Sequence, residues 1–398
     1  MNKTPKLRFK EFSGDWESKK IVEVAKVVGG GTPSTIETKY WNGNIPWFTP
    51  TEIKSQKFVS ISERTITEEG LKKSSAKILP KGTVLLTTRA SLGDMAIAEK
   101  QVTTNQGFQS IIAGESINNE FIYYLQPKLK RYCYKNASGS TFLEISKNSI
   151  EQFKFKMPSL EEQEKIASFF SLIDKKISLQ SEKVEMLKEY KKGMMQKIFS
   201  RELRFKDDSR IDYPEWKCMK LEDILTIPEK IKEENISKDK LLTVKLHRKG
   251  VHVNENTETL SIGSTVYYKR KAGQIIYGKQ NFFNGAIAII PKKFDGFISS
   301  GDVPALDVNN NVADSVYILN FIGRDTFYKR TEALATGTGS KRLHENILLD
   351  ISIELPCIDE QKKIVDLLNK INEKLEKEQE KLDSLNEYKK GLLQQMFV

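Results

Sequence analysis

The chain has 398 residues, with 64 Lys and Arg against 53 Asp and Glu and a formal net charge of +11. That length predicts two or three domains of about 100–200 residues, and 38% apolar residues supply material for their cores. No run approaches the roughly 18–20 apolar residues of a membrane span, and no apolar stretch follows the basic start as a secretory signal requires. Cys133, Cys218 and Cys357 offer neither a disulfide framework nor a Cys-x-x-Cys metal site, so a reducing, cytoplasmic setting is expected.

Residues 1–158 read as a first globular α/β segment. It opens with Leu7-Arg-Phe-Lys10 and Asp15-Trp16. Gly29-Gly-Gly-Thr32 lacks the strand–helix context of a dinucleotide loop and reads as a turn. Glu52-Ile-Lys54 has the Glu-x-Lys form of many nucleases, but no Asp partner accompanies it. Thr83-Val-Leu-Leu-Thr-Thr88 predicts a strand. Phe121-Ile-Tyr-Tyr-Leu125 predicts a helix ahead of Pro127, and Asn136-Ala-Ser-Gly-Ser-Thr141 a loop. Between them Lys128, Lys130, Arg131, Tyr132, Tyr134, Lys135 and Asn136 interleave basic and aromatic groups.

Residues 159–200 predict a long helix, started by Pro158. Apolar residues alternate at spacings of four and three: Ile166, Phe170, Ile173, Ile177, Val184, Leu187, Met194 and Ile198, interrupted by Gln180 and Lys191. A 4-3 alternation sustained this far predicts a coiled-coil seam, with the polar residues as register devices.

Residues 201–355 predict a second α/β segment. Leu203-Arg-Phe-Lys206 and Glu215-Trp216 repeat its predecessor's opening. Lys245-Leu-His-Arg-Lys249 and Tyr267-Tyr-Lys-Arg-Lys271 are its basic clusters. Gly273-Gln-Ile-Ile-Tyr-Gly-Lys-Gln280 misses a phosphate-binding loop, because Gln280 has no hydroxyl for Mg²⁺ and Ile-Ile-Tyr is strand-like. Ala286-Ile-Ala-Ile-Ile290 predicts a strand and Ala335-Thr-Gly-Thr-Gly-Ser340 a loop. Residues 356–398 form a second arm, with Ile364, Leu368, Ile371, Leu375, Leu382, Leu385, Leu392 and Met396 on its seam and Glu378 and Lys389 interrupting.

The two halves are copies. Pro158-Ser-Leu-Glu-Glu-Gln-Glu-Lys-Ile166 maps onto Pro356-Cys-Ile-Asp-Glu-Gln-Lys-Lys-Ile364 at an offset of 198, which also carries Glu189-Tyr-Lys-Lys-Gly193 onto Glu387-Tyr-Lys-Lys-Gly391. About 40 helical residues span roughly 60 Å. If the second segment has adjacent ends, the arms run antiparallel and the chain returns to its first segment with pseudo-twofold symmetry. The predicted fold is therefore α+β: two globular domains separated by two long helices that pair as an antiparallel coiled coil.

Charge is uneven along this plan: +9 over 1–158, +1 over 159–200, +2 over 201–355 and −1 over 356–398. Basic globular parts on a neutral spacer suit a polyanion-binding protein. No Asn-Pro-Pro-aromatic or Asp-Pro-Pro-aromatic motif is present, as an adenine methyltransferase would need, and His247, His252 and His344 lack metal-ligand spacing. Neither a catalytic residue nor a metal ligand is expected.

The opening motifs, Lys81-Gly-Thr-Val-Leu-Leu-Thr-Thr-Arg-Ala-Ser-Leu-Gly93 and the doubled Pro-x-x-x-Glu-Gln-x-Lys-Ile resemble the specificity (S) subunit of type I restriction–modification systems along the whole chain. The resemblance implies that 1–158 and 201–355 are target recognition domains, each reading one half of a bipartite DNA site. The central and C-terminal arms would space them and dock two methyltransferase (M) subunits. S-adenosylmethionine for adenine N6 methylation would sit in those subunits, which flip the target base, and ATP and Mg for cleavage in restriction (R) subunits; this chain would hold no cofactor. DNA contacts are then expected at Arg89, Ser91, Asn105, Gln106, Lys130, Arg131, Lys135, Asn136 and Ser140. In the second domain they are expected at Arg248, Tyr268, Lys269, Arg270, Lys271, Lys279, Gln280, Asn281, Ser340, Lys341 and Arg342, while Thr88 and Gly93 read as structural. Rival readings are a DNA reader of another restriction assembly, a coiled-coil scaffold without a nucleic-acid role, which the +9 segment disfavours, and a self-contained nuclease or methyltransferase.

Overall fold

A computed structural model describes residues 4–53, 56–89, 91–139, 143–255, 265–337 and 340–398. It divides into two compact units, Met1–Lys183 with Glu378–Val398, and Val184–Lys377. Each unit thus combines one globular segment with part of each arm.

In the first unit the central sheet has five strands, in the order Ala25–Gly29, Gln109–Ala113, Val84–Leu86, Met95–Ala98 and Phe58–Val59. Val84, Leu85 and Leu86 are fully buried, so the strand is apolar on both faces and reads as a continuous run rather than an alternation. A second sheet orders Arg64–Ile66, Trp41–Phe48 and Thr103–Thr104. Glu17–Lys20 pairs antiparallel with Lys154–Met157, drawing the two ends of the globular segment together. Asn118 caps the helix Asn119–Tyr124 by accepting from Phe121 N at 3.0 Å, and Pro127 enters the first turn of the next helix, Gln126–Asn136.

The second unit reuses this framework. Its main sheet orders Leu225–Thr226, Ala305–Val308, Ile275–Tyr277 and Ile287–Ile289, and Lys217–Lys220 pairs with Ser352–Leu355 at the segment ends. Asp314 caps the helix Ser315–Ile322 through Val316 N and Tyr317 N. The strand at Ile275–Tyr277 lies where a phosphate-binding loop would need open backbone, in keeping with its rejection above.

The arms are the helices Leu160–Phe199 and Ile358–Met396. In the first unit Ile166, Phe170 and Ile173 share a core with Leu392, Met396 and Phe397. The Phe397 ring lies tilted 5.2 Å from that of Phe121 and 6.1 Å from that of Phe170, so the last residues do return to the first globular segment. In the second unit Ile198 packs with Ile364, Val365 and Leu368. Asp174 pairs with Lys389 and Gln180 with Glu378, which makes the helices antiparallel. Ile177, Leu187, Met194, Leu375, Leu382 and Leu385 are half-buried, and Val184 and Ile371 buried, so every predicted seam position faces inward at least in part.

Gln180 and Glu378 are repeat equivalents, and they touch. Gln180 Nε2 donates to Glu378 Oε2 and to its carbonyl oxygen, both at 2.8 Å, and Lys183 and Lys381 add ion pairs at 2.9 and 3.2 Å. Hydrogen bonds from Gln180, Lys183 and Lys381 hold the Glu378 carboxyl down to about 2. A depressed carboxylate stabilises above its ordinary value near 4.5 and loses that contribution as pH falls toward 2. Glu378→Gln is therefore expected to flatten the acid dependence of melting between pH 5 and 2. An unaltered acid limb would remove Glu378 from that transition.

The duplicated motifs now have a physical role. Arg8 donates Nε and Nη2 to the two oxygens of Glu162 at 2.8 and 2.7 Å, and Arg204 does the same to Glu360 at 3.2 and 3.0 Å. Both glutamates are buried, at 1% and 0% exposure. The next residue ties each helix start to the neighbouring cap. Gln163 accepts from Asn118 N and donates to the Ser116 and Pro158 carbonyls, and Gln361 accepts from Asp314 N and donates to the Val312 and Pro356 carbonyls. Leu-Arg-Phe and Glu-Gln are thus two halves of one clamp between globular segment and arm.

Candidate nucleic-acid interface

In the first unit five segments meet at one end of the central sheet. Thr88 N donates to Gly107 O at 2.8 Å, and Ile145 N to Thr88 O at 3.4 Å. Gly31 N donates to Thr104 O at 2.8 Å, Asn105 N to Phe48 O at 3.0 Å, and Ser91 Oγ to Pro50 O at 3.4 Å. These bonds bring Arg89, Ser91, Asn105 and Gln106 together. Arg89 and Gln106 are exposed, and Ser91 and Asn105 half-buried. Asn105 Oδ1 accepts from Gly107 N at 2.8 Å, leaving its NH₂ without a partner among the described residues. Arg89 Nε pairs with Glu144 at 2.9 Å, both side chains more than two-fifths exposed, and Thr32 Oγ1 bonds Gln106. An exposed ion pair of this kind is worth little and exchanges readily for a phosphate or a base edge.

Thr88 is fully buried, and Gly93 sits at φ +84 with Lys130 Cα 2.8 Å from where a Cβ would stand, so both are structural. Lys130 pairs with Asp94 at 2.6 Å. Of the basic-aromatic cluster, Arg131, Tyr134, Lys135 and Asn136 are exposed, while Lys128 and Tyr132 are half-buried. Lys135 and Asn136 belong to the last turn of the helix Gln126–Asn136 rather than to a loop, with Asn136 Nδ2 donating to Tyr132 O at 2.9 Å. Ser140 lies outside the described residues.

In the second unit Leu343 N donates to Lys279 O and Lys279 N to Asp302 O, both at 2.9 Å. Because Ile145 N donates to Thr88 O in the first unit, Lys279 takes the place of Thr88 and Gln280 that of Arg89. Gln280 is half-buried, and Asn281 and Ser340 are exposed. Arg342 pairs with Asp302 at 3.3 Å and Lys341 with Glu332 at 2.9 Å. Lys269 pairs with Glu233 at 3.1 Å, Tyr268 is half-buried and Lys271 exposed.

Three expectations are corrected. Arg270 is only 4% exposed, its Nε donating to Ser299 Oγ at 2.7 Å and Nη2 to Val303 O at 3.3 Å, and burial pushes it down to about 10. It braces the antiparallel pair of Tyr267–Lys269 with Ile298–Ser300. Lys279 is spent on a largely buried ion pair with Glu345 at 2.9 Å. Arg248 is half-buried against Asn320, to which its Nη2 donates at 3.2 Å. Arg270 and Lys279 do not present their cations to a duplex in this arrangement, and Arg248 lines a cleft beside Phe199 and Arg324.

Gly30 and Gly31 were missed as part of the site. A Cβ on Gly30 would stand 2.0 Å from Asn105 O, and one on Gly31 2.2 Å from Ser75 Oγ. The signal was the glycine run itself, whose close approach to another loop only the fold displays. Glu52 accepts from Thr49 N and Oγ1 and Glu63 N, bracing the loop beside Ser91, while Lys54 of the Glu-x-Lys triplet lies outside the described residues. Among the described residues no cluster of His, Cys, Asp and Glu could hold a metal ion, and no helix is long and apolar enough to cross a membrane.

A family model described as "Type I restriction modification DNA specificity domain" matches twice, at residues 13–189 and 213–387. The chain is 37% identical over 225 residues to the MjaIX specificity subunit of Methanocaldococcus jannaschii, covering 54% of this chain and 52% of that one, so it spans about half the length of that relative. It is 22% identical over 415 residues to the MjaVIII specificity subunit of the same organism, covering 97% and 94%. Among solved structures, the S subunit of a type I system from M. genitalium superposes with a TM-score of 0.58 at 16% identity, covering 99% of both chains, a likeness of fold.

Proposed function

Because the chain belongs to the type I restriction–modification DNA specificity family, we propose that it is the address-reading subunit of such a complex, each globular segment recognising one half of a bipartite DNA site. The observation that supports this most directly is the convergence of Arg89, Ser91, Asn105 and Gln106 on one loop cluster, within a framework the chain builds twice. Arg reads guanine and Asn or Gln reads adenine through paired hydrogen bonds in the major groove, while Lys and Arg on the neighbouring helix neutralise phosphates.

The arms then hold the spacing of the half-sites and dock two methyltransferase subunits, and through them restriction subunits. S-adenosylmethionine would be held by the former and ATP with Mg by the latter, all in the cytoplasm. The present chain would contribute recognition and no chemistry of its own.

Mapping N6-methyladenine across the genome with and without this gene tests the proposal. A split motif that disappears with the gene supports it; an unchanged methylation pattern in a strain that expresses the methyltransferase overturns it. Within the assembled complex, Arg89→Ala is expected to relax discrimination at one base pair and cost about 1–3 kcal/mol of specific binding, the worth of one paired base contact. Arg131→Ala should instead weaken all sequences alike and lower the salt dependence. Unchanged affinity and site choice in Arg89→Ala would take Arg89 out of the interface.

A further inference from the structure

The two units treat one junction between globular segment and arm in opposite ways. In the first, Lys57 Nζ lies 2.5 Å from Glu120 and 2.7 Å from the Tyr124 hydroxyl. That hydroxyl donates to Asp174 at 2.6 Å, and Asp174 pairs with Lys389 at 2.5 Å. Two cations are therefore matched by two carboxylates.

The capping residues Asn118 and Asp314 set the correspondence in the second unit. Glu120 becomes Val316, Tyr124 becomes Asn320, and at the offset of 198 Asp174 becomes Asn372 and Lys389 becomes Lys191. Arg248 takes the role of Lys57, donating to Asn320 as Lys57 contacts Tyr124. Both cations are kept and both carboxylates are lost.

What remains is a cleft of about 690 Å³ lined by Lys191, Arg248 and Arg324 above Met195 and Phe199. Among the described residues none of these three cations forms an ion pair. Arg324 lies over the Phe199 and Phe321 rings at 4.3 and 4.1 Å. Asp325 is within electrostatic reach of Arg248 but is committed to Lys329, at 2.6 Å, and to the Tyr328 hydroxyl. Glu376 acts on Lys191 without contacting it, and Lys188 and Lys192 at the rim are paired with Glu185 and Glu189. Half-buried cations without counter-ions are costly unless something supplies the charge. Burial and mutual repulsion lower the affinity of Lys191 for its proton, in line with that cost.

We propose that this cleft is a carboxylate-binding site whose occupant is an acidic, apolar polypeptide segment of a partner protein. The missing groups are carboxylates, because carboxylates stand at the same places in the first unit. The occupant is polypeptide because Met195 and Phe199 give the cleft an apolar floor, which a small free acid would leave uncovered.

The test follows melting of the full-length chain in chloride, succinate and phosphate at equal ionic strength. Succinate is expected to raise the melting temperature above both other salts. Asn372→Asp, which restores the carboxylate that Asp174 supplies at the equivalent place, should melt higher in chloride and lose the succinate increment, and Lys191→Gln should lose the increment as well. Equal melting in succinate and chloride, a larger effect of phosphate, or an undiminished increment in Asn372→Asp overturns the site.

The second arm rests on the proposed docking of a methyltransferase subunit. There Asn372→Asp should bind that subunit at least about tenfold more weakly despite its higher melting temperature. Unchanged affinity overturns the polypeptide occupant. Failure of the wild-type chain to bind the subunit at all counts against docking itself, and the succinate arm decides the site independently.

Discussion

Arg8→Ala is expected to cost the first unit about 3–5 kcal/mol, the penalty for leaving a buried carboxylate without its cation. Glu162 is 1% exposed, and Arg8 supplies both side-chain hydrogen bonds it receives. The indole of Trp16 is near in sequence but its Nε1 has no partner, so it does not take over. The second copy differs. Glu360 also accepts from Trp216 Nε1 at 3.2 Å and Phe205 N at 3.4 Å. Arg204→Ala should therefore cost less than Arg8→Ala, although the motif is the same. Because the chain has two units, a single melting curve mixes them. Amide exchange at the start of each arm, together with denaturant unfolding, resolves the two. Equal losses in the two variants would show that the extra donors to Glu360 carry no weight.

Gly30→Ala is expected to weaken reading of the first half-site. The new methyl would stand 2.0 Å from Asn105 O and 2.5 Å from Thr104 O, and both are backbone atoms that cannot swing aside. Overpacking of this kind costs about 1–3 kcal/mol. It must displace the loop that carries Asn105 and Gln106, at roughly tenfold or more in affinity for the specific site. Gly278→Ala in the second unit is the control, since its Cβ would meet nothing closer than Ala286 Cβ at 3.7 Å. DNA binding by the assembled complex, with circular dichroism to follow folding, checks both. Wild-type discrimination in Gly30→Ala would show that the loop around Asn105 does not read bases.

The long helices were legible because their signal is local and repeated. A 4-3 alternation survives across eight apolar positions in each arm, and Gln180 and Glu378 break it at matching places. The antiparallel direction followed from chain closure, and Lys217–Lys220 pairing with Ser352–Leu355 supplies the adjacent segment ends on which that closure depends. The strand at Val84–Leu86 and the helix at Asn119–Tyr124 were visible from apolar runs bounded by turn residues. The remaining strands are two to five residues long in the main, too short for periodicity to declare itself.

The loop cluster was half legible. Arg89, Ser91, Asn105 and Gln106 are 17 residues apart at most in sequence, yet their meeting depends on hydrogen bonds from Thr88 to Gly107 and from Ile145 to Thr88. The partners that matter to a cation were harder still. Arg270 reads as part of a basic run with Lys269 and Lys271, but its side chain turns inward, to Ser299 Oγ and the Val303 carbonyl beside the strand that pairs with Tyr267–Lys269. Lys279 meets Glu345, the first residue of a helix that lies 66 residues further along the chain.

Duplication, two stiff arms and the residues of the clamp are therefore written in the order of the chain, because each depends on spacing within a few helical turns or on one block matching another. Which lysines and arginines keep their charge free for a partner is settled by folding, because burial and counter-ions come from residues distant in sequence. Asp174 quenches Lys389 in the first unit while its counterpart Asn372 leaves Lys191 unmatched in the second. An amide in place of one carboxylate and Val316 in place of the other set apart two sites whose basic residues look alike when read as letters.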